Sequence, residues 1–383
     1  MSTVYYLIQN TLPVAVSLLL VALGGMFSEV GGVINIALEG IMLFGAYFAA
    51  LFVYLVQGSG LNPQVILLLA MVVAAVAGLV YSLLLSFAAV SMKANQTITG
   101  TALNMLIPAV ILLFSKMFFM SDGVTTSVNF YIRKVPVLGD IPIIGPIFFQ
   151  RTYITVMIGL VLLIISTIVF YKTKFGLRLR ACGEHPHAAD SVGINVQKMR
   201  YLGTSISGIL GGIGGFFYSV GVMDGNVNGH TGVAGFGFLA LAVMIFGQWR
   251  PGKIFWGALF FAFLRTLAYS ISLIPFLYNL GIDQTYYKML PYIATMVVLA
   301  FTSKKSRAPK AEGIPYDKSQ RWEICPDFKM ARVSKLALVI LFCTLNIIWY
   351  NIGETIFRKV EFNETYLWFN PWANSKIDYD PWT

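Results

Sequence analysis

Apolar residues run through this chain in long blocks, separated by short polar or turn-forming stretches. A membrane-spanning helix needs about 20 mostly apolar residues. Blocks of that kind fall near 5–26, 33–56, 64–91, 98–119, 152–171, 201–222, 231–247, 254–275 and 287–302. A tenth, shorter block lies near 334–350, with Trp349 and Tyr350 at one end. It reads either as a tenth span with interfacial aromatics or as a helix lying in the interface. The pattern predicts an all-α, polytopic membrane helical bundle of 9–10 transmembrane helices. It divides the chain into a membrane domain over 1–302, a polar linker over 303–333 and a C-terminal extension over 334–383.

Composition fits this picture. Hydrophobic residues make up 57% of the chain and charged ones 11%, against about 25% charged in soluble domains. Most of such a chain's exterior must face lipid. The net charge of +10 does not point to a nucleic-acid partner, because the basic residues sit in short loops and one tail. Eighteen of the 27 lysines and arginines fall at Lys93 and in the segments 172–200, 248–253 and 303–335. Counting spans puts all four on one face, which the positive-inside rule makes cytoplasmic. The same count puts Met1 outside, with the loops 57–63, 120–151, 223–230 and 276–286. Met1 to Asn10 holds no lysine or arginine, so the first block reads as a retained helix. Cys182, Cys325 and Cys343 form no CxxC pair, and neither a disulfide framework nor a structural zinc site is expected.

The loop 172–200 is too long and polar for a simple turn. Within it, Pro186–Val192 has the form of a short helix, with Pro186 suited to its first turn and Gly193 to its end. It reads equally as a docking helix for a cytoplasmic partner or as an ordinary basic loop. The junction of the first two blocks, Gly24 to Gly40, brings glycines, Glu29, Glu39 and Asn35 into an apolar setting. A broken helix lining a solute path explains this cluster. The alternative leaves Glu29 at the cytoplasmic interface, with Glu39 alone in the membrane. Gly211 and Gly215 form a GxxxG, which helix packing accounts for. Met223 to His230 is a polar loop at the outer mouth, and Arg265 either pairs with a carboxylate or marks the solute path. Gly247 to Lys253 matches part of a phosphate-binding loop, but Ile254 stands where Ser or Thr is required and no strand precedes it. Any ATPase must then be a separate chain. His185 and His187 lack further ligands at metal-site spacing, and no metal or other cofactor is expected. No GxSxG or HExxH occurs.

These residues resemble a known family. FSEVGGVINIALEGIMLFGAYFAA, KFGLRLRACGEHPHAADSVGINVQKMR, GVAGFGFLALAVMIFGQWRPGKIFWGALFFAFL and RAPKAEGIPYDK are similar to successive blocks of permeases from ABC importers of branched-chain amino acids, simple sugars and nucleosides. The resemblance covers about residues 5–318 and is nearest to the nucleoside subgroup served by a basic-membrane-protein-type lipoprotein. It implies a non-catalytic subunit in the bacterial plasma membrane. Its implied partners are an ATP-binding cassette ATPase, a second permease subunit in the form of a paralogous chain, and a solute-binding lipoprotein outside. It places ATPase coupling on Gly183, Glu184, Pro186, Ala188, Ala189 and Gly193, and the substrate path beside Asn35, Glu39 and Gly40. Asn104 joins the path as a polar group within an apolar span. The chain departs from the family by lacking the extra N-terminal span of the sugar permeases and by continuing about 65 residues past the usual end. An ion-coupled secondary transporter is the rival reading, with Glu39 and Arg265 as its ionisable groups.

Overall fold

The structure, a computed structural model, describes residues 2–134, 150–223, 225–229, 233, 235–270, 286–287, 289–302 and 307–318. The predicted tenth span, the extension after 318, Cys325 and Cys343, residues 135–149 of the loop 120–151 and nearly all of 276–286 lie outside the described residues. The helices among the described residues are α1 (Ser2–Val30), α2 (Leu38–Val56), α3 (Pro63–Ser86, followed by a π-helical turn Phe87–Ser91), α4 (Gln96–Phe119), α5 (Ile154–Lys172), α6 (Lys174–Glu184), α7 (Pro186–Ser191), α8 (Val196–Val222), α9 (Phe236–Phe246), α10 (Pro251–Tyr269) and α11 (Leu290–Thr302). Among the described residues, α1, α2, α3 with its π turn, α4, α5 and α8 are long and apolar enough to cross a membrane. This is a multi-pass membrane protein, and its helices follow the predicted blocks closely.

Starts and stops have local causes. Asn62, Asn95 and Asn195 cap α3, α4 and α8 by accepting backbone N–H groups of the first turn, which a helix leaves without intrahelical partners. Pro63, Pro186 and Pro251 each sit at the first turn of their helix, where a missing N–H costs nothing.

Helix α8 is the axis of the bundle, packed against α1, α2 and α3. Lipid gives helices no hydrophobic reason to associate, so close backbone approach through small residues takes over. A Cβ at Gly212 would lie 2.2 Å from the Ala74 carbonyl oxygen of α3, and one at Gly215 would lie 2.0 Å from that of Met42 on α2. Of the GxxxG pair, Gly215 thus packs on α2, and a Cβ at Gly211 would lie 2.9 Å from Ile41 Cγ2 of the same helix, as predicted. Helix α3 shows the matching asymmetry: Ala70, Ala74 and Gly78 face inward, while Leu68, Val72, Val76, Val80 and Leu84 are exposed.

The two ends of the bundle differ. At one, β1 (Gly123–Thr125) pairs antiparallel with β4 (Asn226–Asn228), and β2 (Tyr131–Lys134) with β3 (Gln150–Tyr153). The sequence pattern did not predict these ribbons within an all-α bundle; they are three or four residues long and carry no periodic signal. At the other end lie α6, α7, Lys93, the α9–α10 turn and residues 307–318, bound together by polar contacts. The described parts of the basic segments that charge counting put on one face thus gather at one end.

Candidate functional site

The junction of α1 and α2 is unwound, and residues 31–37 are all buried. Backbone N–H and C=O groups cannot be left without partners at such depth. Gly32, at φ +93°, ends α1 in the left-handed region, and the Gly32 and Val33 amides bond back to the carbonyls of Glu29 and Ser28. Ser28 Oγ donates to the Val33 carbonyl at 2.9 Å. The Ile34 amide donates to Gln96 Oε1 at 2.8 Å. Asn104 clamps the far side: its Nδ2 donates to the Ile36 carbonyl at 2.7 Å, and its Oδ1 accepts the Gly40 amide at 2.8 Å. Asn35, fully buried, donates through Nδ2 to Ser207 Oγ of α8 at 2.8 Å.

Glu39 stands in the first turn of α2 and reaches the start of α9. Its carboxylate accepts the Gly235 amide at 2.8 Å and the Gly237 amide at 2.6 Å. A carboxylate there satisfies two donors that a helix start leaves open and meets the positive end of the helix dipole. Behind this cap, Phe236 lies 4.1 Å from the Tyr218 ring and 4.2 Å beneath the Arg265 guanidinium. Arg265, buried, donates to Tyr218 Oη at 3.2 Å and also lies over Tyr269. Among the described residues Arg265 forms no ion pair with a carboxylate; the rings of Phe236, Tyr218 and Tyr269 surround its charge.

The structure thus brings Asn35, Glu39 and Asn104 to one place, around the break. Each is bonded to protein: Asn104 and Glu39 to backbone, Asn35 to a hydroxyl. Their chemistry holds irregular backbone open at membrane depth, the condition for a polar route through an apolar bundle. Sequence reading missed Gln96 and Ser207, which complete this network, because single polar residues in apolar helices carry no motif.

Glu29 is fully buried in protein in the last turn of α1, where it accepts Trp249 Nε1 of the α9–α10 turn at 2.8 Å, toward the basic end of the bundle. Trp249 gets there because the α9–α10 turn holds Gln248 and Trp249 at positive φ, 52° and 53°. The stretch that matched part of a phosphate-binding loop is this turn.

At the basic end, α6 runs into α7, which begins at Pro186 and ends before Gly193 at φ +83°. Sequence reading foresaw α7 but took α6 for loop. The six predicted coupling residues divide by exposure. Glu184, Ala188 and Gly193 face outward, beside Val192, which is 75% exposed. Gly183, Pro186 and Ala189 are buried. Gly183 packs so closely that a Cβ would lie 2.0 Å from the Val30 carbonyl oxygen. The arrangement is a small, partly apolar projection whose inner residues fix it to the end of α1.

Comparison with known proteins gives this geometry a context. The family described as branched-chain amino acid transport system / permease component matches residues 7–300. A guanosine ABC transporter permease protein of Bacillus subtilis, NupQ, is 42% identical over 320 residues, covering 82% of this chain and 97% of that protein. A nucleoside ABC transporter permease protein of Lactococcus lactis, NupC, is 36% identical over 321 residues, covering 83% and 99%. A second nucleoside ABC transporter permease protein of that strain, NupB, is 29% identical over 173 residues, covering 44% and 46%. No solved structure matches the chain.

Proposed function

The chain belongs to the branched-chain amino acid transport system / permease component family, and from that premise we propose that it is the permease subunit of an ABC importer for nucleosides in a bacterial plasma membrane. It performs no bond chemistry; ATP hydrolysis belongs to a separate subunit. The observation that carries the solute class is the 42% identity, over 82% of this chain and 97% of the relative, to a permease named for guanosine. Two distinct nucleoside permeases in one Lactococcus strain support a paralogous chain as the second permease.

In this reading an ATPase docks on α7 through Glu184, Ala188 and Gly193, while Gly183, Pro186 and Ala189 hold the projection in shape. A solute-binding lipoprotein delivers nucleoside at the opposite end, near the β1–β4 ribbon. Asn35, Glu39 and Asn104 sit beside the path and keep its broken helix open. ATPase closure and opening rock the two permease halves between outward and inward states.

The test is uptake of radiolabelled guanosine by cells lacking this chain and by cells with it restored. Restored, energy-dependent uptake that excess unlabelled nucleoside suppresses and excess ribose does not is the expected result. Uptake suppressed by ribose alone, or uptake abolished by an ionophore while ATP is maintained, would contradict it.

A further inference from the structure

Residues 307–318 contain no helix or strand, yet Pro309, Ala311, Glu312 and Tyr316 are buried. Irregular chain is ordered only where its contacts outweigh the entropy lost, and here the contacts run to two different places. Toward α6 and α7, the Ala311 amide donates to the Gly183 carbonyl at 2.8 Å, the Tyr316 ring lies 5.2 Å from that of His187, and Lys318 pairs with Asp190 at 3.6 Å. Toward the broken helix, the Gly313 amide donates to the Gly32 carbonyl at 3.2 Å, and Glu312 faces the buried Glu29. Two side contacts complete the attachment: Arg200 Nη1 of α8 donates to the Ile314 carbonyl at 2.8 Å, and Lys93 pairs with Asp317 at 2.7 Å. Ala311 and Gly313, two residues apart, therefore bond to the docking projection and to the first residues of the break.

We propose that residues 307–318 are a strap that carries movement of α7 to the Gly31–Ala37 break, so that ATPase closure reshapes the solute path. This rests on the importer reading and adds a positioning element to it. The geometry gives the strap a mechanical role because neighbouring residues join the two sites by short backbone bonds, and a packed contact of this kind shifts as a unit. Gly313 sits at φ +73°, where a β-branched residue is strained, and a Cβ there would lie 2.6 Å from Ile34 Cδ1. A valine at 313 forces a change in the strap's backbone or in Ile34 of the break while leaving the exposed face of α7 untouched.

The experiment uses the complete importer, with its ATPase and second permease, in liposomes supplied with binding protein and labelled guanosine. Three quantities are read: ATPase retained on purification, ATP hydrolysed and guanosine taken up. Gly313→Val is expected to retain ATPase and hydrolysis while uptake per ATP falls about fivefold or more, the scale of a typical coupling between sites. Lys93→Asp lowers the ratio more weakly, and adding Asp317→Lys restores it. A folded Gly313→Val complex with the wild-type ratio would overturn the strap. If Gly313→Val fails to assemble, the charge-swap pair decides: an unchanged ratio in Lys93→Asp makes the segment a packing element only. Wild-type protein that hydrolyses ATP but takes up no nucleoside contradicts the solute assignment, whereas the variant-to-wild-type ratio tests the strap alone.

Discussion

Asn104 occupies both ends of its amide with backbone groups at the end of the break and in the first turn of α2. Asn104→Ala leaves the Gly40 N–H and the Ile36 carbonyl unpaired, each costing about 1–3 kcal/mol. The expected outcome is a clear fall in melting temperature in detergent together with loss of uptake. Asn104→Asp keeps the acceptor and loses the donor, so it should fall between the two. Cys182 is a different kind of residue. It is fully buried, and burial pushes its thiol up to about 11 despite the nearby Arg200 guanidinium. Only the thiolate is reactive. In a Cys325→Ser/Cys343→Ser background, Cys182 should therefore resist maleimide at pH 7 and react once the protein is denatured; rapid labelling of folded protein would contradict this. At this scale the sequence told less than it held. Asn35, Glu39 and Asn104 stand out as polar groups in apolar blocks, but their partners lie far along the chain. Glu39 meets Gly235 and Gly237, and no local pattern announces a carboxylate capping a helix nearly 200 residues away.

Helices were the most legible level. Apolar blocks, asparagine caps and first-turn prolines fix where they start, and α7 with its closing Gly193 follows from local chemistry. Helix α6 was hidden because its sequence, KFGLRLRACGE, is polar and basic enough to pass for loop; its helical form comes from packing Leu179 and Cys182 against the bundle. The glycine face of α8 carries a prediction of its own. Gly212→Leu inserts a side chain where a Cβ already lies 2.2 Å from a carbonyl of α3. Overpacking of this kind costs about 1–3 kcal/mol or more, and here it separates backbones. Size-exclusion chromatography should show aggregated or poorly expressed protein. Leu84→Ala on the exposed face of α3 should behave as wild type.

At the scale of the whole molecule, the bundle has a polar break at depth, ribbons at one end and a basic projection at the other. Charge distribution alone sorted the segments into faces, because basic residues report on loops. It did not reveal that 307–318 returns to pack beneath the break, since a proline-containing basic stretch looks the same whether free or folded back. The account as a whole stands on α7 being where an ATPase binds. The most direct measurement is a pull-down of the solubilised protein from its native membrane, beside a Glu184→Arg/Ala188→Arg variant. Both residues are exposed, so the variant should fold. An ATP-binding cassette subunit recovered with the wild type and lost with the variant is the predicted result. Absence of any ATPase with the wild type, in detergents that keep such complexes intact, would contradict the importer reading and favour an ion-coupled transporter.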